Sequence, residues 1–290
     1  MSTFDLGPFS DAIADLAAAA APALASLPRG HGATASAFHW RDGLFVTAEE
    51  ALDDSDPVEL TLPSGETVKA ELVGRDPSTG LALLRSSGHG GTPVLAKADA
   101  RRVGSVAVAV GQSWGEPLAS FGAVGLAGPA WRSMRGGQIA RRINLAITVG
   151  GRFEGGPVLD ARGALLGMLL FGPRRRVLVM PHENIEQAVA TLETKGHVAR
   201  GYLGAGLHPV REGGMRGAMV MSLDEAGPAK AAGIQLGDII QSWNGEAVNG
   251  PRDLLHRLGP DSAGKRVTLG IVRGGETRDV AATVGEKPLG

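Results

Sequence analysis

The chain has 290 residues and a formal net charge of −1, so its length allows two or three domains and its balance gives no bulk field for nucleic acid or an anionic membrane. It contains no cysteine, which excludes disulfides, thiolate metal sites and cysteine nucleophiles. The 44 glycines and 17 prolines point to short strands joined by tight turns rather than to long helical bundles.

Residues 1–22 predict a short amphipathic helix capped by Ser10, with Asp11 in its first turn. This stretch has no Lys or Arg before Arg29 and is interrupted by Asp5, Asp11 and Asp15, so it does not read as a secretory signal. No apolar run approaches ~20 residues, and the expectation is a soluble cytoplasmic protein without a membrane partner. Residues 23–27, 33–38, 40–47, 58–62, 66–73 and 80–85 predict six strands, the second and third turning at Arg41-Asp42-Gly43. Short turns with no helix between them imply a small antiparallel barrel over residues 23–87.

A polar, glycine-rich break follows at residues 86–91. A second set of strands, at 105–110, 119–126, 139–147, 158–159, 164–171 and 177–180, has the same rhythm and implies a second barrel over residues 92–195. Residues 182–194 place Ile185, Ala188, Val189 and Leu192 on one helical face, which would close the double barrel. From Arg200 the character changes. Strands at 202–207, 218–222, 239–243, 267–272 and 280–284 surround a short helix at 228–232 ended by Gly233. A second helix, at 251–258, is entered through Pro251. They form a third module, residues 198–286.

Three phrases stand out: Val46-Thr47-Ala48-Glu49-Glu50-Ala51, Asp76-Pro77-Ser78-Thr79-Gly80-Leu81-Ala82-Leu83-Leu84, and the glycine-rich Gly150-Gly151-Arg152-Phe153-Glu154-Gly155-Gly156-Pro157. In this order they resemble the motif segments of the HtrA family of trypsin-like serine proteases carrying a PDZ domain. The resemblance runs from about residue 8 to residue 284. It implies a mainly β fold: a chymotrypsin/trypsin-like double six-stranded antiparallel β-barrel over residues 23–195, then a PDZ domain, a β-sheet with two helices, over residues 198–286. By that match Glu50 stands where the family has histidine, Gly80 where it has aspartate and Glu154 where it has serine, with two extra residues before Glu154.

Peptide hydrolysis by this route needs a hydroxyl nucleophile, an imidazole base and an orienting carboxylate. Losing nucleophile or base alone costs about a million-fold in turnover in a comparable protease. The expectation is therefore a pseudo-protease rather than an enzyme, with no catalytic residue, no metal and no cofactor. The alternatives are residual serine-type endopeptidase activity, or a cleft repurposed to bind a metal or small ligand through Glu50 and Glu154. Drift at a solvent-filled cleft is the preferred account of the two glutamates. His39 and His31, with Glu49, match no ligand spacing and read as structural. Arg174-Arg175-Arg176 reads as a solvated turn, a phosphate or acidic partner being the sharper alternative.

The segments Arg200-Gly201-Tyr202-Leu203-Gly204, Ala231-Ala232-Gly233-Ile234-Gln235-Leu236-Gly237-Asp238-Ile239-Ile240 and Trp243-Asn244-Gly245-Glu246-Ala247-Val248 resemble a family PDZ domain. The loop at Tyr202-Leu203-Gly204 can aim successive amides at a peptide's terminal carboxylate, and the strand after it can add the peptide as an antiparallel neighbour. Tyr202, Leu203, Gly204, Ala205 and Leu207, with Leu254, Leu255 and Leu258, are the candidate peptide-binding residues, although some of these leucines also read as core. The function expected is recognition without cleavage: a scaffold or chaperone-like assembly factor that captures apolar carboxyl-terminal tails of proteins or peptides. Family members commonly assemble as trimers through the amino-terminal segment. Phe4, Leu6 and Phe9 would serve such a homo-oligomer; the alternative for Phe4 and Phe9 is packing on their own barrel.

Overall fold

Strand alternation decides how the first part of the chain packs. The computed structural model describes residues 5–53, 57–87, 95–99, 102–212 and 215–287. These divide into two units, Met1–Trp131 with Ile139–Val198 and Arg132–Gln138 with Ala199–Gly290. In the first unit a helix, α1 (Gly7–Ala20), precedes β1 (Leu24–Arg29), β2 (Ala33–Arg41), β3 (Leu44–Ala48), β4 (Val58–Thr61), β5 (Thr67–Asp76) and β6 (Leu81–Arg85). They close an antiparallel barrel in the order β1-β2-β3-β6-β5-β4. A second barrel is formed by β7 (Val106–Ser113), β8 (Glu116–Gly128), β9 (Arg142–Ala146), β10 (Pro157–Asp160), β11 (Leu165–Phe171) and β12 (Val177–Pro181), in the order β9-β12-β11-β10-β7-β8. The double six-stranded barrel expected from the sequence is present.

Successive residues of a strand point to opposite faces, and both faces of the central strands are used. Ala35, Ala37, Phe45 and Leu84 fill the first barrel. Val124, Val158, Leu169 and Val179 fill the second. The alternate residues Phe38, Trp40, Val46, Leu81 and Leu83 instead meet Val108, Val110, Leu159 and Met168 in a core shared by the two barrels. Helix α2 (His182–Lys195) covers that core with Ile185, Val189 and Leu192, and ends at Gly196 in the left-handed region at φ 71°. Two faces buried at once explain why β3 and β6 read as apolar runs rather than as alternation.

Helix α1 starts earlier than the expected cap at Ser10. The Asp5 Oδ1 accepts the Gly7 N–H at 2.8 Å, Pro8 sits in the first turn, and the Ser10 N–H already donates to the Leu6 carbonyl at 2.9 Å. Phe9 packs edge-on against Phe121 of its own barrel, ring centroids 5.4 Å apart. Phe4 lies outside the described residues. Arg174, Arg175 and Arg176 are exposed in a turn in which Arg174 and Arg175 have φ near +57° and +55°, and the Arg175 guanidinium lies 4.5 Å from the Phe171 ring centroid.

His39 on β2 is buried edge-on against Phe45, and neither ring nitrogen has a hydrogen-bond partner among the described residues. Burial pushes its pKa below the usual 6.5, opposed by the carboxylate of Asp42. The unfolded chain therefore binds a proton that the folded chain resists, and stability falls as pH drops below about 6.5. His182, also lowered by burial first and by Arg141 and Lys97 next, acts in the same direction against its Ala98 hydrogen bond. His39→Leu is expected to raise the urea midpoint at pH 5.5 more than at pH 8. An equal change at both pH values would show that His39 does not titrate in this window.

In the second unit β13 (Ala205–Glu212), β14 (Met215–Leu223), β15 (Ile239–Trp243), β16 (Arg266–Arg273) and β17 (Glu276–Thr283) form a sheet in chain order, with Glu246–Ala247 added to β15. Helices α3 (Pro228–Ala231) and α4 (Pro251–Arg257) accompany it. Its core holds Leu203, Val220, Ile240, Trp243, Leu254, Leu269 and Ile271. β13 is an edge strand and carries Pro209.

Candidate functional site

The glycine-rich phrase folds as a 3₁₀ turn, Gly151–Phe153, leading into Glu154. Gly155 is required by geometry: φ is +81°, and a Cβ would stand 2.3 Å from the Ser36 carbonyl and 2.5 Å from Thr47 Oγ1. The turn is tied down from several strands. Ser36 donates its N–H to the Glu154 carbonyl at 2.9 Å and its hydroxyl to the Arg152 carbonyl at 2.6 Å. The Ser36 hydroxyl accepts the Gln112 N–H at 2.9 Å, and the Thr47 hydroxyl donates to the Ser36 carbonyl at 2.7 Å.

Glu154 is buried at 6 % exposure, and its Oε2 accepts a hydrogen bond from Arg29 Nη1 at 2.7 Å. The other guanidinium nitrogen, Arg29 Nη2, donates to the Glu50 carbonyl at 2.7 Å. Glu50 itself is exposed on the short turn Glu49–Ala51, and the Glu49 N–H donates to the Gly80 carbonyl at 2.9 Å. Glu50, Gly80 and Glu154 thus lie on segments joined to one another. The link differs from two facing carboxylates: Arg29 takes the Glu154 carboxylate with one nitrogen and the main chain of Glu50 with the other. Arg29 carries no motif in the sequence. A lone cation at the end of a buried strand was the only signal it gave.

Nearby acceptors and donors are similarly committed. The Asp76 carboxylate accepts the Ser78 N–H at 2.9 Å and the Ser78 and Thr79 hydroxyls at 2.6 Å each, an arrangement that closes its own turn. The Glu154 N–H donates to the Gly151 carbonyl at 3.0 Å, so it points into the turn and not at an incoming oxygen. Among the described residues no three His, Asp or Glu side chains stand together as metal ligands. His39 lies against Phe45, and the His31 side chain lies outside the described residues.

In the second unit the loop before β13 orients its peptides. The Leu203 carbonyl accepts the Ala229 N–H at 2.7 Å, and the Gly204 carbonyl accepts the Asp224 N–H at 2.9 Å. A trans peptide points its N–H opposite its carbonyl, so the N–H groups of Gly204 and Ala205 face away from those partners. Ala205 is opposite Leu223, and the Asp224 to Gly204 bond marks this as a non-hydrogen-bonded pair. The polar groups of Ala205 therefore face the open edge of the sheet. The eight expected contact residues separate in their exposure. Leu203, Leu254 and Leu258 are core, Tyr202, Ala205 and Leu207 are half-buried, Gly204 is buried at φ +69°, and Leu255 is 46 % exposed.

Two family models match: the trypsin-like peptidase domain over residues 35–168 and the PDZ domain over residues 201–284. The probable periplasmic serine endoprotease DegP-like of Brucella suis biovar 1 (strain 1330) is 31% identical over 264 residues, 85% of this chain and 51% of the relative. The chain thus spans about half the length of the curated relatives it matches. Among solved structures, the HtrA-type protease AlgW with decapeptide superposes with a TM-score of 0.72 at 21% identity, covering 96% of this chain and 99% of that one. The serine endoprotease from Yersinia pestis gives a TM-score of 0.72 at 22% identity, over 94% and 98% of the two chains.

These similarities correct two expectations. The curated relatives matched are named serine endoproteases, which overturns the expectation that the chain is not an enzyme. A peptidase reaction here would draw on groups other than Glu50, Gly80 and Glu154, none of which carries a hydroxyl or an imidazole. The curated relatives are named periplasmic, which overturns the cytoplasmic expectation. Among the described residues no helix is long and apolar enough to cross a membrane.

Proposed function

We propose that this HtrA/DegP-type chain, a trypsin-like peptidase domain followed by a PDZ domain, works by peptide recognition, its PDZ domain taking free apolar carboxyl-terminal tails along the open edge of β13. The observation that carries this reading is the outward N–H of Gly204 and Ala205, set beside the half-buried Leu207. Successive amides suit a terminal carboxylate, and the edge strand suits main-chain pairing. An apolar last side chain buried there would contribute roughly 1.5–3 kcal/mol. The relative solved with a decapeptide supports the same class of ligand. The role that follows is that of a scaffold or chaperone-like factor holding a partner's tail, in the periplasmic setting its relatives' names indicate. Leu6, 61 % exposed, remains available for a homo-oligomeric contact through the amino-terminal segment.

Fluorescence polarisation with the whole chain and labelled peptides tests the reading. Peptides ending in a free apolar residue are expected to bind at least about tenfold more tightly than their amidated forms, a difference of about 1.4 kcal/mol. Leu207→Asp is expected to remove the advantage. Equal affinity for free and amidated ends would sink the proposal.

A further inference from the structure

A cavity of about 720 Å³ opens beside the Arg29–Glu154 pair in the first unit. The β1–β2 connection supplies Arg29 and Ala33 to its wall, the glycine-rich turn supplies Gly150, Arg152 and Phe153, and β8 supplies Leu118. Two guanidinium groups line it, and no carboxylate is among its lining residues. The charge of Arg29 is matched by Glu154 at 2.7 Å. Arg152 is exposed, and its guanidinium has no hydrogen-bond or ion-pair partner among the described residues. The cleft therefore presents one unmatched positive charge above apolar walls.

Gly150 lines the cleft with open space beside it. Its backbone is ordinary extended chain, φ −81° and ψ 171°, and a Cβ there would meet nothing within 4 Å. Neither strain nor packing requires glycine, in contrast to Gly155 five residues later.

We propose that this cleft binds an acidic peptide segment, with one carboxylate side chain on Arg152 and flanking apolar side chains against Leu118, Phe153 and Ala33. A guanidinium pairs well with a carboxylate, and the mostly apolar lining with a few placed polar groups is what peptide-sized ligands use. An inorganic anion would leave most of the volume and all of the apolar wall unused. The site is independent of the tail-binding proposal for β13.

The test uses the whole chain and two fluorescein-labelled, carboxyl-amidated hexapeptides, Ala-Leu-Glu-Leu-Ala-Ala and its Gln counterpart. Amidation removes the terminus that the PDZ groove would take, so failure here and failure there are separate results. The Glu peptide is expected to bind about tenfold more tightly than the Gln peptide, and Arg152→Gln to abolish the difference. Gly150→Leu, which fills the cleft without backbone strain, is expected to weaken both peptides at least tenfold. Circular dichroism of each variant confirms that it is folded. Equal binding of the two peptides, or binding indifferent to Gly150→Leu, would overturn the proposal. So would complete displacement of the Glu peptide by inorganic phosphate with no contribution from Leu118→Ser.

Discussion

Gly155→Ala is expected to lower the thermal midpoint of the first unit by about 10 °C. An L-residue at φ +81° costs about 1 kcal/mol by itself. The new methyl would also stand 2.3 Å from the Ser36 carbonyl, 2.5 Å from Thr47 Oγ1 and 2.8 Å from the Ala48 N. None of these is the loose end of a flexible side chain, so β2, β3 or the turn must shift, and such overpacking costs about 1–3 kcal/mol. The sum, about 2–4 kcal/mol, corresponds to about 4–16 °C for a unit of this size. Gly150→Ala is the matched control and should leave the midpoint unchanged, because its Cβ meets nothing within 4 Å. Scanning calorimetry of both variants decides it. A shift below about 2 °C for Gly155→Ala would mean that the turn is not locked against Ser36 and Thr47.

Asp238→Ala should have a comparable effect on the second unit. Asp238 is 1 % exposed, and Arg273 donates Nε to its Oδ1 at 2.8 Å and Nη2 to its Oδ2 at 2.7 Å. The Gln235 N–H donates to Oδ2 at 2.8 Å, and Arg273 Nη2 also reaches the Gly233 carbonyl at 2.8 Å. One carboxylate thus fixes the loop after α3 to the end of β16. Its loss is expected to cost about 2–4 kcal/mol, or about 8–32 °C for a domain of under a hundred residues. Hydrogen exchange should quicken in β15 and β16 while the barrels of the first unit keep their protection. Burial works against the charged form of Asp238, but the hydrogen bonds from Arg273 and Gln235 outweigh it and hold its pKa below 3.8. The linked stability is present above about pH 4 and is lost as pH falls through the lower folded value. Asp238→Ala should remove that acid-dependent loss. A variant that retains it would assign the loss to another carboxylate.

Much of the architecture was legible because short apolar strands and turn residues agree locally. Asp42 and Gly43 both adopt positive φ, 46° and 73°, in the two-residue turn joining β2 to β3. The β7–β8 hairpin was less legible. The expected strands stop at residue 110 and resume at residue 119, yet Gly111, Gln112 and Ser113 continue the ladder against Leu118, Pro117 and Glu116. Across the barrels the Gln112 N–H donates to the Ser36 hydroxyl at 2.9 Å and the Thr34 hydroxyl donates to the Ser113 hydroxyl at 3.0 Å, while the buried Gln112 Oε1 has no partner among the described residues. A polar residue paired over 76 or 79 positions leaves no local pattern. The pairing of Arg29 leaves no local pattern for the same reason, since its partners Glu154 and Glu50 are set by closure of two barrels. The leucines of the second unit were found as a group. Their division into core and surface depends on which way each strand and helix face turns, which a run of leucines does not encode.

Pro209 gives the edge of β13 a defined length. Opposite Ala218, whose own main chain pairs with Ile240 of β15, position 209 turns its nitrogen to the open side, and proline brings no hydrogen there. A ladder begun at Ala205 would therefore stop within a few residues. A long strand, including a second copy of this edge, meets an interruption, while a short chain end does not. The same residue would both limit unwanted sheet growth and set the docking edge to the length of a tail.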